Sequence, residues 1–476
     1  MNRTQSTILV SLLAAIPCLA ADLSLPSAFS DHMVLQREQP VPVWGKADPN
    51  AVVTVEFAGQ IKIATADANG KWRVDLDPMA ANPNPQVLTV RSPQATGRLS
   101  FSDVLVGEVW LCSGQSNMQL QLSSCENAVA EIEKANYPQI RLYNTPRVFA
   151  ENPKEPIDAQ WNICTSETVE TFSGVAYYFG RKLHQDLGVP VGLLLSAWGG
   201  TRIEPWIPPC GFASVDALGD IYQSIQNGIQ LDREKPHQTS AALYNGMIHA
   251  HIPFAIRGAI WYQGESNRGE GKGMLYVDKT KALLNGWRNL WGHEFPFYFV
   301  QIAPFQYGNE DPGILPLFWE AQAEIVKTIP MTGMAVVSDC ATLDNIHPPN
   351  KEAPGTRLAL LAESNTYGMD VVSTGPVFQT LEKQGNELKV IFDSGEGLST
   401  RDGEPPDWFE VAGKNGTFKK AEAVISGNAV TVRSAEVADP VAVRFAWHKL
   451  ATPNLINGAG LPASAFRAGG LPGPAR

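Results

Sequence analysis

The feature that most constrains the fold of this chain is a nearly continuous apolar run that ends in a polar turn. The run extends from Val104 to Leu111, and the turn reads Ser113-Gly114-Gln115-Ser116-Asn117-Met118. A strand buried on both faces of a parallel sheet has this character, whereas a strand with one solvent-facing side alternates. Similar apolar runs recur at 189–195, 255–262, 297–302 and 334–337.

Helical patterns lie between these runs, at 176–187, 241–249, 276–287 and 318–327. Strands that alternate with helices predict an α/β domain built on a parallel sheet, which we place at 104–370. The chain is 44% hydrophobic and 18% charged, which is enough apolar side chain for a large core and excludes whole-chain disorder.

The segments on both sides of this domain alternate in the manner of half-buried strands. Val53, Val55 and Phe57 alternate with their neighbours near the N-terminus, and the stretch 388–392 repeats the pattern near the C-terminus. We therefore predict a β module at 22–103 and a β region at 375–476. An alternative is that the two flanks fold together as one accessory unit.

Residues 1–21 have the layout of a secretory signal peptide. Basic Arg3 precedes an apolar stretch at 8–16, which is followed by Pro17 and small residues. The alternatives are an N-terminal strand or core helix, and a lipid anchor on Cys18. The prediction is a protein exported to the periplasm or the cell exterior. No later segment has 18 uninterrupted apolar residues, so no membrane association is expected after the signal is removed.

The charge balance excludes some partners without identifying one. The chain has 37 basic and 48 acidic residues, for a net charge of −11. A nucleic-acid-binding surface needs clustered Lys and Arg, so no nucleic-acid partner is expected. The oligomeric state is left open.

Five cysteines follow the predicted signal, so at least one thiol is unpaired. They are Cys112, Cys125, Cys164, Cys210 and Cys340, and their pairing cannot be deduced from the sequence. Cys112, directly after the apolar run, is expected to be a small buried side chain. The sequence has no CxxC pair and no His/Cys cluster, so no metal site is predicted.

Polar residues follow each apolar run, and the carboxyl ends of parallel strands share one edge of a sheet, where sites form. Ser116 follows the first run and is a candidate nucleophile close to free backbone N–H groups. The alternative is that Ser116 merely caps a helix. Asp344 and His347 could supply an oriented base, or could lie in an ordinary surface turn.

Four further residues at strand ends have two interpretations each. Gly199 and Gly200 could donate N–H groups to a ligand, or could form a tight turn. The Gln263 amide could complete an oxyanion hole, or could hold a loop. Glu265 is interpreted as structural or as a pocket wall.

Several motifs together resemble the sialate O-acetylesterase family, a branch of the SGNH hydrolases. They are GEVWLCSGQSNMQ (107–119), WGGTRIEPW (198–206), LYNGMIH (243–249), WYQGESN (261–267) and DNIHPPNK (344–351). The similarity extends to FSDHMVLQREQPVPVWG (29–45) and NLINGAGLPASAFR (454–467), so it spans nearly the whole chain after residue 21. It implies a flavodoxin-like, three-layer α/β/α catalytic domain with flanking all-β segments.

The resemblance also implies a mechanism and its residues. Ser116 would be the nucleophile, with Asp344 and His347 completing the triad. Gly200 and Gln263 would bind the oxyanion, with Asn267 as the alternative to Gln263. No metal or organic cofactor is needed for this chemistry.

The implied substrate is an acetylated carbohydrate, either an O-acetyl sialic acid or an acetylated plant glycan such as xylan. The predicted substrate contacts are Gln115, Arg202, Glu265 and Trp261. Arg202 could bind a sialate carboxylate, or could pair with Glu204 or another acid. Trp198, Trp206 and Trp261 could stack on sugars or lie in the core. A glycan-binding protein with a degenerate hydrolase core and an acetyltransferase acting on a second sugar remain alternatives.

Overall fold

The computed structural model describes residues 23–93, 98–155, 158–270 and 273–470. The predicted signal peptide and Cys18 lie outside the described residues. The described chain is a mixed α/β protein with further β-sheets, which confirms the predicted fold class. Its central sheet is mixed and not wholly parallel as predicted, because β9 pairs antiparallel with β8. Within the described ranges, no helix is both long and apolar enough to cross a bilayer.

The N-terminal part is made of strands. They are β1 (Val34–Gln36), β2 (Val41–Lys46), β3 (Val52–Phe57), β4 (Gln60–Thr65), β5 (Lys71–Leu76), β6 (Asn82–Arg91) and β7 (Arg98–Gly114). Strand β2 pairs with β5, and β3 pairs with β4 and β6, all antiparallel. The inward residues of β3 are Val53, Val55 and Phe57, which confirms the alternation expected there.

Strand β7 is 17 residues long and belongs to two sheets. Its first part pairs antiparallel with β6, and the part from Glu108 to Gly114 lies between two strands of the central sheet. The predicted boundary between 103 and 104 therefore falls inside one strand. Asp103 has a left-handed backbone (φ 54°), and its carboxylate accepts hydrogen bonds from the Arg141 guanidinium at 2.8 and 3.1 Å.

The central part alternates strands and helices. They are α1 (Ser116–Gln119), α2 (Ala128–Lys134), β8 (Asn136–Asn144), β9 (Trp161–Thr165), α3 (Ser166–Val169), α4 (Gly174–Leu187), β10 (Val191–Ala197), α5 (Pro209–Ala213), α6 (Gly219–Gln226), β11 (Gly258–Tyr262), α7 (Leu275–Trp291), β12 (Phe297–Val300), α8 (Ile314–Thr328), β13 (Thr332–Ala335) and α9 (Glu352–Asn365). The strand order is β13-β12-β11-β7-β10-β8-β9. Neighbouring strands are parallel except for the antiparallel pair β8 and β9.

Short helical turns complete this part of the chain. The 3₁₀ turns are Leu122–Ser124, Glu204–Trp206, Asp216–Leu218, Pro236–Gln238, His249–His251 and Ser338–Cys340, and Tyr244–Ile248 is a π-helical turn. The helical pattern predicted at 241–249 is helical in the structure, but most of it has π-helical or 3₁₀ winding. Gly246 packs directly on the Val148 carbonyl, and the Asn245 amide donates to the carbonyls of Ala150 and Glu151.

Alternate residues of β7 enter two different hydrophobic clusters. Trp110 and Cys112 pack in a cluster with residues of α4 and α9. Val109 and Leu111 pack in a cluster with residues of α7 and α8. The core thus lies on both faces of the central sheet, which explains why the strand reads as a continuous apolar run. Cys112 is fully buried, as predicted, and all five described cysteines are free thiols.

The C-terminal part is again made of strands. They are β14 (Val377–Gln384), β15 (Glu387–Asp393), β16 (Ser399–Thr400), β17 (Phe409–Ala412), β18 (Phe418–Lys420), β19 (Glu422–Ser426), β20 (Ala429–Arg433), β21 (Ala442–Phe445), β22 (Leu455–Ile456) and β23 (Phe466–Gly469). Two antiparallel sheets have the orders β14-β15-β20-β19 and β18-β17-β21-β23, and β16 pairs with β22. In the described residues these strands pair only with one another, so the two β flanks share no sheet.

Candidate active site

Sheet register brings three of the predicted polar segments to one edge. Gly114 at the end of β7 lies between Ala197 of β10 and Tyr262 of β11. All three strands are parallel, so the chain leaves each of them on the same side. The segments that begin at Gln115, Trp198 and Gln263 therefore start from adjacent positions.

The turn after β7 exposes a serine hydroxyl. Gly114 has φ 142°, and a Cβ there would lie 2.3 Å from the Tyr262 carbonyl oxygen, so only glycine fits. Gln115 occupies the cap position of α1, and Ser116 is the first helical residue. Ser116 is half-buried, and its hydroxyl has no hydrogen-bond partner among the described residues. The helix-cap interpretation of Ser116 therefore does not fit its geometry.

The double glycine lies directly beside the candidate nucleophile. A Cβ on Gly199 would be 3.2 Å from the Ser116 Cβ, and the Gly199 N–H donates to Gln119 Oε1 at 2.7 Å. Gly200 has φ 74°, and its carbonyl accepts from Ser266 Oγ at 3.0 Å. The Gly200 N–H has no partner in the described part of the chain. The tight-turn interpretation fits Gly200, whose N–H is also unused, whereas the Gly199 N–H is already engaged by Gln119.

The Gln263 side chain is fully buried and already engaged. Its Nε2 donates to Gln115 Oε1 at 3.1 Å, to the Thr201 carbonyl at 3.1 Å and to Asn267 Oδ1 at 2.8 Å. Tyr276 donates to its Oε1 at 2.8 Å. An amide nitrogen has two N–H donors, so neither is left for an oxyanion. The arrangement fits the loop-holding interpretation and does not fit the oxyanion role predicted for Gln263.

Asn267, the alternative donor, is engaged in the same way. Its Nδ2 donates to Glu204 at 3.0 Å and Glu270 at 3.1 Å, and its Oδ1 accepts from the Ile203 N–H at 3.0 Å. Only 1% of Asn267 is exposed. Its position therefore does not fit the oxyanion role either, and the two amides instead join the loops after β10 and β11.

The Gln115 side-chain amide has N–H donors that no described residue accepts. Its Oε1 accepts the Gln263 hydrogen bond, and the longer contacts from the Gly264 and Ser266 N–H groups measure 3.4 Å each. The oxygen is therefore fixed, and this fixes the direction of Nε2 in the same planar amide. Within the described residues this nitrogen donates to no acceptor and is not sealed from solvent. Gln115 precedes Ser116, so its unused donor belongs to the same turn as the candidate nucleophile.

The predicted base lies on the loop between β13 and α9. His347 is half-buried, and burial together with the nearby Lys351 charge lowers its pKa, which favours the neutral imidazole that a base requires. Asp344 is exposed and makes no hydrogen bond or ion pair with His347 in the described structure. Asn345 Oδ1 accepts the His347 backbone N–H at 2.9 Å, which fixes a turn that leaves Asp344 toward solvent.

A buried polar network connects the turn after β7, which we call the nucleophile turn (114–118), to the loop between β13 and α9, which we call the base loop (336–351). Lys351 Nζ donates to Asn117 Oδ1 and to the Pro348 carbonyl, both at 2.7 Å. Asn117 Nδ2 donates to Glu265 Oε1 at 2.6 Å and to the Ile346 carbonyl at 3.0 Å. Asn117 therefore contacts the residue before His347, while following Ser116 in sequence.

Burial shifts the protonation equilibria in this network. It lowers the pKa of Lys351 to about 8 and raises the pKa of Glu265. Glu265 Oε2 is buried with no hydrogen-bond partner among the described residues. Glu265 is only 4% exposed and is hydrogen-bonded to Asn117 within this network, so its position fits the structural interpretation better than the predicted substrate contact.

Sequence reasoning did not assign roles to Asn117 and Lys351. Both lie inside the quoted motifs, next to Ser116 and four residues after His347. The only signal that could have found them was this proximity, because a lysine or an asparagine alone does not indicate a buried link.

The other predicted substrate contacts have different environments. Trp261 is 2% exposed, and its Nε1 donates to Tyr276 at 3.2 Å, so it is a core residue and the predicted contact does not fit. Trp206 is fully buried as well. Trp198 is half-buried and stacks on His237, with ring centroids 5.2 Å apart. Arg202 pairs with Glu270 at 2.8 Å instead of Glu204.

Among the described residues, no group of three or more His, Cys, Asp or Glu side chains is arranged to hold a metal ion. The nucleophile turn and the base loop linked to it through Asn117 instead carry hydroxyl, amide and imidazole groups, with the unused Gly200 N–H beside them. Such a set can carry out nucleophilic acyl transfer.

Comparisons with known proteins agree with this chemistry. A family model described as "Carbohydrate esterase, sialic acid-specific acetylesterase" matches residues 106–359, which is more than half of the chain. A sialate O-acetylesterase from Homo sapiens is 32% identical over 399 residues, covering 75% of this chain and 73% of that protein. The sialate O-acetylesterase from Mus musculus is 28% identical over 492 residues and covers 88% of each chain.

A solved structure is similar over almost the full length. A carbohydrate acetylesterase from Xanthomonas citri aligns with a TM-score of 0.86 and 36% identity, covering 94% of this chain and 99% of that one. The family predicted from the motifs is thereby confirmed. The chain belongs to the carbohydrate esterase family of sialic acid-specific acetylesterases.

Proposed function

We propose that this protein is a carbohydrate O-acetylesterase that removes acetyl groups from sugar hydroxyls through a serine acetyl-enzyme. The observation that carries the proposal is the environment of Ser116. Its unpartnered hydroxyl sits in a glycine-bounded turn against Gly199, with the Gly200 N–H unused among the described residues. Family membership supports the ester-hydrolase chemistry.

In the first step His347 takes the proton from Ser116 as Oγ attacks the acetyl carbonyl carbon. The lowered pKa of His347 keeps its imidazole neutral and ready to accept that proton. Asp344 steadies the resulting imidazolium after a side-chain rotation. Hydrogen bonds of this kind tighten when substrate binds, so the open pair in the unliganded geometry is compatible with the role.

We assign the oxyanion to three donors, the N–H groups of Ser116 and Gly200 and the Nε2 of Gln115. Gln263 orients Gln115 by donating to its Oε1. A single oxyanion donor is worth about 3 kcal/mol of transition-state stabilisation. His347 then returns the proton to the leaving sugar oxygen, and water attacks the acetyl-enzyme to release acetate and free Ser116.

The proposed fold of the catalytic part is the three-layer SGNH arrangement. The alternate packing of β7 residues against helices α4 and α9 and against α7 and α8 supports it. The placement of the polar segments at the carboxyl ends of parallel strands supports it as well.

The proposed substrate is a neutral acetylated glycan such as acetylated xylan. The net charge of −11 and the pairing of Arg202 with Glu270 disfavour an anionic sugar at that position. A second candidate is an O-acetyl sialic acid, which the family description favours. Arg147 also favours it, since its guanidinium lies 5.8 Å from the Trp198 ring centroid and makes no described ion pair.

The test is hydrolysis by the purified protein and by its Ser116→Ala variant. Acetate release is measured from 4-nitrophenyl acetate, acetylated xylan and an O-acetyl sialic acid, and acetylated sugar products are followed by mass spectrometry. We expect release that disappears in Ser116→Ala with an unchanged melting temperature. Release from no substrate would favour a glycan-binding protein with a degenerate core, and transfer to a second sugar would favour an acetyltransferase.

Arg147→Ala separates the two substrates. It should raise KM for an O-acetyl sialic acid if that sugar is the substrate, and leave hydrolysis of acetylated xylan unchanged. Lys134→Ala, which removes a surface cation at the end of α2, is the control for a general loss of positive charge.

We further propose export to the periplasm or the cell exterior, based on the layout of residues 1–21. Expression in the native host with cell fractionation tests it. Recovery of the protein in the cytosol with residues 1–21 intact would refute it.

A further inference from the structure

A cavity of about 820 Å³ lies where the C-terminal sheets meet the segment between β12 and α8. We call it the C-terminal cavity. Its walls include Asp311, Asp407, Trp408, Trp447, His448 and Arg467. The volume is within the range of about 300–1,000 Å³ that is usual for small-ligand sites. None of the predicted catalytic residues lines it.

Two half-buried tryptophans form its aromatic surface. Trp408 packs on His448 with ring centroids 5.9 Å apart, and the Arg467 guanidinium lies 5.0 Å from the Trp447 ring centroid. Each indole is therefore held by a protein group and is still partly accessible. Accessible indole faces offer the apolar contact that the C–H faces of a sugar ring require.

The backbone of Trp408 is strained at the position that places its ring in the cavity wall. Its φ is 57°, in the left-handed region that bulky residues rarely adopt. The Ala446 N–H donates to the Trp408 carbonyl at 3.1 Å, which holds this conformation at the start of β17. Strained residues of this kind concentrate at functional sites.

The acidic and basic side chains that line the C-terminal cavity are equal in number. Three acidic side chains face three basic ones, and the pairs Glu410 with Arg444 and Arg467 with Glu320 are already formed at 2.7 and 2.9 Å. Asp407 accepts the Asn454 N–H at 2.9 Å, and desolvation raises its pKa. A formally neutral wall with carboxylate acceptors and aromatic rings matches a neutral, hydroxyl-rich ligand.

The C-terminal cavity is attached to the candidate active site. The Phe305 N–H donates to the carbonyl of Lys449, which follows His448, at 3.0 Å. The next residue, Gln306, donates to the carbonyl of Leu343, which precedes Asp344, at 3.0 Å. Adjacent residues thus hold the cavity wall and the base loop, and consecutive Cα atoms are only about 3.8 Å apart.

We propose that the C-terminal cavity binds a neutral oligosaccharide segment of the substrate, with sugar faces on Trp408 and Trp447. One glycan chain would then occupy this cavity and present an acetylated unit to Ser116. The link to catalysis rests on the proposed function, whereas oligosaccharide binding itself does not. The enzyme would favour acetylated oligosaccharides over small acetyl esters.

Binding is tested by calorimetry in the full-length Ser116→Ala protein. The probes are the unacetylated neutral hexasaccharides of xylose, mannose and glucose, and the anionic trisaccharide sialyllactose. We expect at least one neutral hexasaccharide to bind, and Kd to rise about tenfold or more when Trp447→Ala is added. Binding of none of the probes, or of sialyllactose alone, would overturn the proposal whether or not the protein is an esterase.

A second variant separates recognition from folding. Trp408→Gly removes the ring but relieves the left-handed backbone, which offsets part of the lost packing, so the protein should stay folded by circular dichroism while oligosaccharide affinity falls about tenfold or more. Trp44→Ala, in a separate cavity of about 480 Å³ near the N-terminus, is the matched control and should bind as the parent does. Unchanged affinity in Trp408→Gly and Trp447→Ala would also refute the assignment.

Catalysis supplies an independent readout in the active enzyme. Trp408→Gly and Trp447→Ala should raise KM for acetylated xylan oligosaccharides and leave kcat/KM for 4-nitrophenyl acetate unchanged. Equal losses on both substrates would show that the C-terminal cavity only supports the base loop, and would contradict a binding role.

Discussion

The nucleophile turn and the base loop of the candidate active site are built in different ways. The turn at Gly114 is positioned by backbone pairing, because strands β10 and β11 flank it in fixed register. The loop that carries His347 follows the last strand at one edge of the sheet and is positioned by side chains. Lys351 and Asn117 connect it to the nucleophile turn through buried hydrogen bonds.

The difference shows which half of a catalytic site depends on the sheet and which on a few side chains. Backbone pairing is distributed over many residues, so a single substitution rarely shifts it. The base loop has a few backbone hydrogen bonds, at Leu343 and Pro349, and its link to the nucleophile turn depends on the Lys351 and Asn117 side chains, so one substitution can weaken it. The four predictions below test this contrast, in order of decreasing effect.

His347→Ala should remove the base and lower kcat by about 10³-fold or more, since general bases contribute about 10²–10⁴ and act as a unit with the nucleophile. Initial rates on 4-nitrophenyl acetate measure the loss. His293→Ala, which removes another half-buried imidazole outside the site, should be fully active. Retained activity in His347→Ala would show that the base loop does not supply the general base.

Gln115→Ala should lower kcat by about 10²-fold with little change in KM, because it removes an oxyanion donor. Gln263→Ala should have a similar effect, because it frees the amide that Gln263 now orients. If the two act in sequence, the double variant will be hardly slower than either single variant. Additive losses would instead show that Gln263 contacts the oxyanion itself.

Asp344→Asn should lower kcat by about 10²-fold or less, at the low end of general acid–base effects, because the carboxylate is exposed and unpaired with His347. Steady-state kinetics on the same ester measures it. A loss as large as that of His347→Ala would mean that the loop closes before catalysis and is as ordered then as the nucleophile turn.

Lys351→Met should have the smallest effect on kcat and a clear effect on pH dependence. The wild-type acid limb of kcat/KM should lie below pH 6.5, the ordinary pKa of histidine, because the pKa of His347 is lowered. Removing the Lys351 charge raises that pKa, so the limb should move to higher pH. Lys182→Met removes a half-buried lysine of α4 outside the site and should leave the profile unchanged. An unmoved limb in Lys351→Met would contradict the coupling.

The same variant reports on stability. Asn117 Oδ1 and the Pro348 carbonyl lose their donor, and a buried unsatisfied group costs about 1–3 kcal/mol. Thermal unfolding should therefore show a lower melting temperature. No change would mean that water replaces the lysine.

Sequence patterns predicted the parts of the fold that depend on periodicity. The apolar run ending at Leu111 identified the central strand, and the motifs identified the family. The helix at 242–251 followed from the local pattern, but its π-helical winding at Tyr244–Ile248 did not, since Gly246 and Asn245 contact a segment distant in sequence there. The hydrogen-bond partners of the two glutamines were also not predictable. Nothing in the sequence shows that Gln263 donates to Gln115 Oε1 and leaves the Gln115 N–H unused.

Strand β7 has a consequence for how this protein can be divided. One continuous strand pairs with β6 in the N-terminal part and with β10 in the central sheet. A cut between residues 103 and 104 would therefore leave an unpaired strand edge on both fragments. Bare strand edges recruit other chains and promote aggregation. The N-terminal strands are therefore not expected to fold as an independent module. Truncations or fusions for engineering should keep residues 23–114 with the catalytic part.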